Sequence, residues 1–252
     1  LARYFGFRPV SYAFMGAAVY MVYLLAGEGW GGAALAIGFF GNMFIGRFAF
    51  RCPDYCDSLG QFLFVASLYA LMHRSPWVIL LAFLCGLTRE NIAATIGLLC
   101  IPIQPFGFLA ALGGCILAYT TRREDFANVH PLVEKTSYAT IVRWTKAKKD
   151  GVLHWAHTVQ PLRALPLFIP FGWERAPTGA GWLLAVFAPL FFFAIPASGQ
   201  SRMLAYGYAI CVPFVVACGF ELAWLACLLH WFWPCDFATF DEGGGLNWGS
   251  IR

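Results

Sequence analysis

Seven long apolar runs follow one another along this chain of 252 residues, and they restrict its fold more than any other feature. A helix needs about 20 consecutive apolar residues to cross the hydrocarbon layer of a bilayer. Only 12% of the residues are charged, whereas soluble domains carry about 25%. We therefore expect an all-α fold, a polytopic transmembrane helical bundle of about seven spans, within a range of six to eight. The candidate spans are Val10–Ala26, Trp30–Ile45, Ser58–Met72, Trp77–Pro102, Phe106–Thr120, Gly179–Pro196 and Met203–Phe220.

The fourth run contains two adjacent charges, Arg89 and Glu90, within "ILLAFLCGLTRENIAATIGLLCIP". As one helix, this run of residues 77–102 would be about 39 Å long, which exceeds the ~30 Å hydrocarbon layer. It therefore either tilts or breaks at residues 88–91, and we expect one broken or re-entrant segment. Two interpretations of the charges stay open. The pair neutralises itself where a helix ends near the interface, or it lines a polar cavity that holds an anionic group such as a lipid phosphate.

The main polar stretch covers residues 121–163 and carries eight basic and four acidic residues. Such a basic excess predicts a cytoplasmic location, and binding of anionic headgroups is the alternative. Four prolines follow closely and exclude a regular spanning helix, so we expect an irregular stretch at the interface. We interpret the chain as a single integral membrane domain, 1–252. It includes this basic loop with its Pro-rich segment, 121–178, and a flexible acidic and Gly-rich tail, 234–252.

The segment "RCPDYCD" at 51–57 places Cys52 and Cys56 beside Asp54 and Asp57. A single Cys pair without a second pair is more typical of a polar loop than of a metal site, so we predict no metal there. No motif identifies a cofactor. The basic residues are concentrated in one segment with little aromatic interleaving, which argues against nucleic acid as a partner.

Three segments in this order resemble the GT-C superfamily of polytopic membrane glycosyltransferases. They are "CPDYCDSLGQFLFVASLYALMHRSPW", the Thr-Arg-Glu segment quoted above and "IPASGQSRMLAYGYAICVPFVVA", within residues 50–220. The resemblance implies a bacterial inner-membrane protein that handles a polyprenyl-phosphate-linked sugar. It implies that Asp54 or Asp57 supplies a catalytic carboxylate, and that Arg89 and Arg202 bind phosphate oxygens while Glu90 orients Arg89.

The sequence departs from that superfamily in one respect that bears on catalysis. The superfamily carries its acidic catalytic residue in the loop after the first span, and here that loop is Gly27-Glu28-Gly29, too short for a site. We expect that the catalytic loop precedes Leu1 in a longer chain, or that the chain has lost catalysis. Sidedness also stays open, because the resemblance implies that residues 121–177 are extracytoplasmic while their charge predicts the cytoplasm.

A second hypothesis is a non-catalytic subunit of a larger membrane complex. The ten Trp and 25 Phe residues offer apolar surface to partner helices, lipids or pigments. Small residues permit close helix approach at "GAA" (16–18), "GGAALAIG" (31–38) and "AALGG" (110–114). A transporter is the third hypothesis, since broken helices are typical of that class.

Overall fold

A computed structural model describes residues 7–42, 45–51, 57–129, 162, 165–177, 180–186 and 204–232, and every regular element in these ranges is helical. The prediction of an all-α fold is confirmed. No helix in the described ranges is both long enough and apolar enough to cross a membrane. The helices are α1 (Phe7–Leu25), α2 (Gly29–Gly41), α3 (Gly46–Arg51), α4 (Asp57–Met72), α5 (Trp77–Thr88), α6 (Glu90–Cys100), α7 (Pro105–Val129), α8 (Ile169–Gly172), α9 (Ala180–Leu183), α10 (Gly207–Cys218) and α11 (Phe220–Phe232).

Glycine and proline set the turns between these helices. Gly27 and Gly29 take the left-handed conformation between α1 and α2, with φ of 77° and 70°, which glycine adopts without steric penalty. Pro76 is the N-cap of α5, and α7 begins at Pro105, where a missing backbone N–H removes no helical hydrogen bond. The short turns force neighbouring helices to run in opposite directions.

The chain reverses direction between α5 and α6. Arg89 is the single residue between them, in an extended conformation with φ −155° and ψ 133°. Gly86 on α5 and Gly97 on α6 both lie against Ala111 of α7, although eleven residues of continuous helix would separate them by about 16 Å. The predicted break at residues 88–91 is therefore confirmed, and the two halves fold back on each other.

A second reversal occurs at Gly219, between α10 and α11. Gly219 has a φ of 123°, which a residue with a Cβ rarely adopts. The rings of Tyr208 and His230 lie with their centroids 4.8 Å apart, whereas a continuous helix would hold them about 33 Å apart. The sequence predicted one span over Met203–Phe220, and the helix ends within two residues of that bound, at Cys218. The sequence did not predict α11, which returns along the side of α10.

The bundle consequently has two ends. The end that we call the Arg89 end carries the starts of α1, α4, α6 and α10, together with the last turn of α11. The opposite end, the Gly219 end, carries the turns at 26–28, 73–76 and 101–104. Ser11 of α1 and Ser58 of α4 are joined by a 2.7 Å hydrogen bond, and the rings of Phe14 and Phe62, about one turn further along each helix, have centroids 5.8 Å apart. The two helices therefore run in the same direction and start at the same level.

Helix α10 lies at the centre of the bundle. Every residue from Leu204 to Val215 is buried, and α10 packs against α1, α2, α4, α8 and α11. Tyr208 donates a hydrogen bond to the carbonyl of Leu35 on α2, at 2.8 Å. The helix therefore contacts helices from the early part of the chain and from its last part.

The polar segment at 121–178 is partly helical, whereas the sequence predicted a loop. α7 continues to Val129, so the predicted basic loop, 121–178, begins as helix. Its Pro-rich segment is irregular as predicted, with a 3-10 turn at Leu165–Phe168 and the one-turn helix α8. Of the run Gly179–Pro196, only residues 180–186 are described, as α9 and a 3-10 turn. Residues 130–161 and the tail 234–252 lie outside the described residues.

Helices α5 and α7 approach each other closely at two glycines. A Cβ added at Gly114 would meet the carbonyl of Phe83 and lie 3.0 Å from the Cα of Gly86, and one added at Gly86 would meet the backbone of Ala111. Gly113 on the same helix has no atom within 4 Å of the equivalent position. The absence of a side chain at Gly114 is thus what lets the two backbones touch.

We expect Gly114→Ala to lower the free energy of unfolding by about 1–3 kcal/mol, because the added methyl forces two backbones apart. Gly113→Ala is the matched control. It should leave stability unchanged or raise it by up to about 1 kcal/mol, since alanine is the better helix former. Thermal or denaturant unfolding of the purified variants checks this, and equal stabilities for the two variants would contradict the packing.

Candidate functional site

Three helix starts meet at the Arg89 end. A Cβ added at Gly60, in the first turn of α4, would lie 2.6 Å from the hydroxyl of Tyr206 and 2.9 Å from Cδ1 of Ile92. Ile92 is in the first turn of α6, and Tyr206 is the N-cap of α10. The N-terminal ends of α4, α6 and α10 are therefore at one level and within contact of each other.

Aromatic packing holds this junction together. The ring of Phe64, one turn after Gly60, packs edge-on against Tyr206 with a centroid separation of 5.3 Å. Both rings are almost fully buried. Gly60 is required here because any side chain would occupy the space of the Tyr206 hydroxyl.

Two polar side chains near the starts of α4 and α6 are buried. Gln61 and Asn91 are buried, with 2% and 6% of their surface exposed. The Oε1 atom of Gln61 makes no hydrogen bond within the described part of the chain. Buried polar atoms are usually hydrogen-bonded, and this oxygen is an acceptor, so the group that satisfies it must be a donor.

Arg89 gives the junction its positive charge. Its side chain is partly buried at the reversal, and its backbone joins the two helices, with the N–H donating to Cys85 at 2.9 Å and the carbonyl accepting from Ala93 at 3.0 Å. Arginine at an N-cap has no side-chain acceptor, and neither Arg89 nor Tyr206 makes a side-chain cap for the helix that it starts. The first amides of α6 are thus not capped by the Arg89 side chain, and the first amides of a helix favour anions. Helix α10 directly follows the helical residues 204–205.

A second polar cluster lies at the same end, on the other side of α10. Asn42 Nδ2 donates to His230 Nδ1 at 3.1 Å, and the His230 ring rests on Tyr208. Arg47 donates to the carbonyl of Trp231 at 3.0 Å and stacks over its ring, 5.0 Å from the centroid. The sequence analysis missed this cluster. Its members come from four elements, and no local spacing connects them.

The predicted site residues are only partly described. Arg89 is at the reversal, and the backbones of Asp57 and Glu90 form the first residues of α4 and α6. The structure therefore brings these three positions to the Arg89 end, although nothing is described of the Asp57 and Glu90 side chains. Asp54 and Arg202 lie outside the described residues.

The described residues offer no ready site for a metal ion, because no three His, Cys, Asp or Glu side chains in those ranges lie close enough together. Cys52 and Cys56 are not among them. Comparisons of the chain with protein-family models, with curated proteins and with solved structures found no match.

The contact between Gly60 and Tyr206 can be tested by a double-mutant cycle. Gly60→Ala should destabilise the protein by about 1–3 kcal/mol, because the methyl displaces the Tyr206 hydroxyl. In a Tyr206→Phe background the hydroxyl is absent, so the same change should cost clearly less. Unfolding free energies of the four proteins give the coupling, and strictly additive effects would show that the two residues do not meet.

Proposed function

We propose that the chain is a polytopic membrane protein that binds the phosphate of a lipid-linked substrate at its Arg89 end. The observation that carries the proposal is the junction itself, where the partly buried Arg89 starts α6 beside the first turn of α4 and the buried Tyr206. Three supports follow: the exterior of the bundle, the distribution of charge between its ends and the chemistry of the junction.

The exterior supports a lipid environment. α7 exposes a row of large apolar and aromatic side chains spaced three or four residues apart, which lie along one face: Phe106, Leu109, Leu112, Ile116 and Tyr119. Soluble proteins rarely expose an apolar patch larger than a few hundred Å² to water. The interior is correspondingly polar in places, with buried Ser, Thr, Asn, Gln and His side chains.

Hydroxyl groups on these helices bond to their own backbone. Ser67, Thr88 and Thr95 each donate to the carbonyl four residues earlier, at 2.7 Å, and Thr121 on the exposed face of α7 does the same. Satisfying a hydroxyl within its own helix removes the need for water, which a bilayer interior cannot supply. The pattern suits helices that are surrounded by lipid.

Most of the longer helices fall short of the hydrocarbon layer. Besides α7, seven helices have 11 to 19 residues, or about 16–29 Å. Membrane insertion therefore requires local thinning of the bilayer around them. The alternation of direction along the chain is the arrangement that a polytopic bundle requires.

Charge distribution supports an orientation. Arg8, Arg47 and Arg89 lie at the Arg89 end with Asp57 and Glu90, and α7 carries the first part of the basic stretch 121–163 toward that end. Arg74 lies at the Gly219 end with Glu28 and Glu221. Since Lys and Arg accumulate on the cytoplasmic side, we orient the Arg89 end toward the cytoplasm, the opposite of what the GT-C resemblance implies.

Labelling at residue 146 checks this orientation. In intact cells, a cysteine introduced by Lys146→Cys should react with a membrane-impermeant thiol reagent only after the membrane is permeabilised. Cysteines introduced at Glu28 or Glu221 should react without permeabilisation, and the parent chain corrects for native thiols. Strong labelling at 146 in intact cells would reverse the orientation, and recovery of the chain from cell lysate without detergent would refute membrane insertion.

The chemistry of the junction suits a phosphate. A guanidinium presents a planar fork of N–H donors that matches two phosphate oxygens, and amides at a helix start add further donors. Asp57 begins α4 at the same end. In the sugar-transfer reaction that the resemblance implies, a carboxylate there would act as general base toward the acceptor hydroxyl, with Arg89 holding the phosphate that leaves with the lipid.

We expect Arg89→Lys to weaken binding of a polyprenyl phosphate about tenfold or more, because a charged bidentate contact becomes a single one. Thermal stability should stay near that of the parent. Arg8→Lys, an exposed arginine at the same end, is the control and should bind normally. Titration in detergent measures both, with the polyprenol that lacks phosphate as the second ligand. Equal affinity of the parent protein for the polyprenyl phosphate and for the polyprenol would contradict the proposal.

A non-catalytic subunit is the second candidate, favoured by one observation. Gly16 on α1 and Gly113 on α7 have open space where a side chain would stand, so another helix could approach there. The small residues at 31–38 cannot serve a partner chain in this way, because Gly31 and Gly38 pack against α11 of the same chain. Purification with stoichiometric partner chains, and no binding of polyprenyl phosphate, would select this function instead.

A further inference from the structure

Helix α4 ends with an arginine where glycine is usual. Arg74 has a φ of 50°, its N–H donates to Leu71 at 3.1 Å, and the next N–H donates to Ala70 at 2.8 Å. This is a Schellman ending, whose left-handed position glycine fills most often. At the end of α1 the same pair of bonds has Gly27 in that position. A side chain there costs free energy, and such strain is often found where the side chain has a function.

An apolar groove begins two residues after Arg74. It has a volume of about 580 Å³, it is open to the exterior between α5 and α7, and it is lined by Pro76, Trp77, Ile79, Leu80, Phe83 and Ala110. Trp77 is 68% exposed. The groove adjoins the apolar row on α7, with Leu109 next to Ala110 in sequence.

The end of the groove that Pro76 forms is basic. His73 and Arg74 are both exposed, and the His73 ring is held against Tyr69 at 4.3 Å between centroids. The sequence contains no acidic residue between Asp57 and Glu90. An apolar groove with a cationic end matches a molecule with a hydrocarbon chain and an anionic head.

We propose that the groove and this turn bind one anionic membrane phospholipid. Its acyl chain lies along the groove between α5 and α7, and its phosphate contacts Arg74 and His73 at the Gly219 end. This site is at the opposite end of the bundle from Arg89. The proposal rests on the membrane insertion proposed above, and it does not depend on the phosphate site at Arg89. It gives Arg74 a reason to occupy a position that favours glycine.

Lipid retention by the purified protein in detergent tests the cationic end. In native mass spectrometry, the parent should retain phosphatidylglycerol about fivefold more than phosphatidylcholine, as expected for one arginine near an anionic headgroup. Arg74→Gly should abolish that preference and yet unfold at the same temperature as the parent or a higher one, because the strain is relieved. An undiminished preference in this variant would overturn the proposal.

A second pair of variants tests the groove. Ala110→Phe fills it and should reduce retention of both lipids, whereas Leu109→Phe adds the same ring on the neighbouring exposed position and should not. Equal retention by the two variants would overturn the acyl-chain site. Arg89→Lys should retain phosphatidylglycerol like the parent. Loss of the lipid preference at Arg74 and loss of polyprenyl phosphate at Arg89 are thus separate results, so that either site can fail alone.

Discussion

Close backbone contact between helices is the constraint on which the rest of this structure depends. The helices are short, and a short helix buries little surface unless a neighbour comes very near. Gly86 and Gly114 bring α5 and α7 together, and Gly38 does the same for α2, where an added Cβ would lie 3.1 Å from the Cα of Cys227 on α11. Dispersion contacts at such distances are individually small and collectively large. They hold α7 against the α5–α6 hairpin and α11 against α2.

The hairpins in turn create the polar end. Because the chain reverses at one residue, the amides that start α6 come directly after the carbonyls that end α5, and Arg89 is fixed at the tip between them. Helix α10 then places Tyr206 against α4 and Tyr208 against α2. The junction around Tyr206 and the polar cluster around His230 are therefore neighbours through a single helix. Most buried polar side chains in the described ranges lie near helix ends, and Ser67 and Thr95 are the exceptions.

The break at Arg89 could be predicted from the sequence, because a run of Thr, Arg, Glu and Asn interrupts an apolar segment. Burying charged side chains in an apolar medium has a known free-energy cost. The reversal at Gly219 gave no such signal, since the residues on both sides are apolar and a single glycine is tolerated in a helix. The small residues at 31–38 were predicted to serve partner helices, but they are used inside the chain. The pattern reports that a close approach exists and does not say with which helix.

Contacts between distant residues were beyond any local pattern. Asn42 and His230 are 188 positions apart, and Gly60 meets Tyr206 only because α10 returns through the middle of the bundle. Periodicity along one segment carries no information about such pairs. The Arg74 turn is similar, because the residue type there argues against the conformation that it adopts. Only the backbone angle reveals that an arginine stands in a glycine position.

The complete burial of α10 has a consequence for the order of assembly. The space that α10 occupies is formed by α1, α2 and α4, which are synthesised well before residue 204. Until α10 arrives, the carbonyl of Leu35 lacks its Tyr208 hydroxyl donor and the flat space beside Gly60 is empty. The early helices therefore lack their central packing partner until residues 204–218 have been synthesised. Helix α10 thus completes the bundle at its centre and is not added at one side.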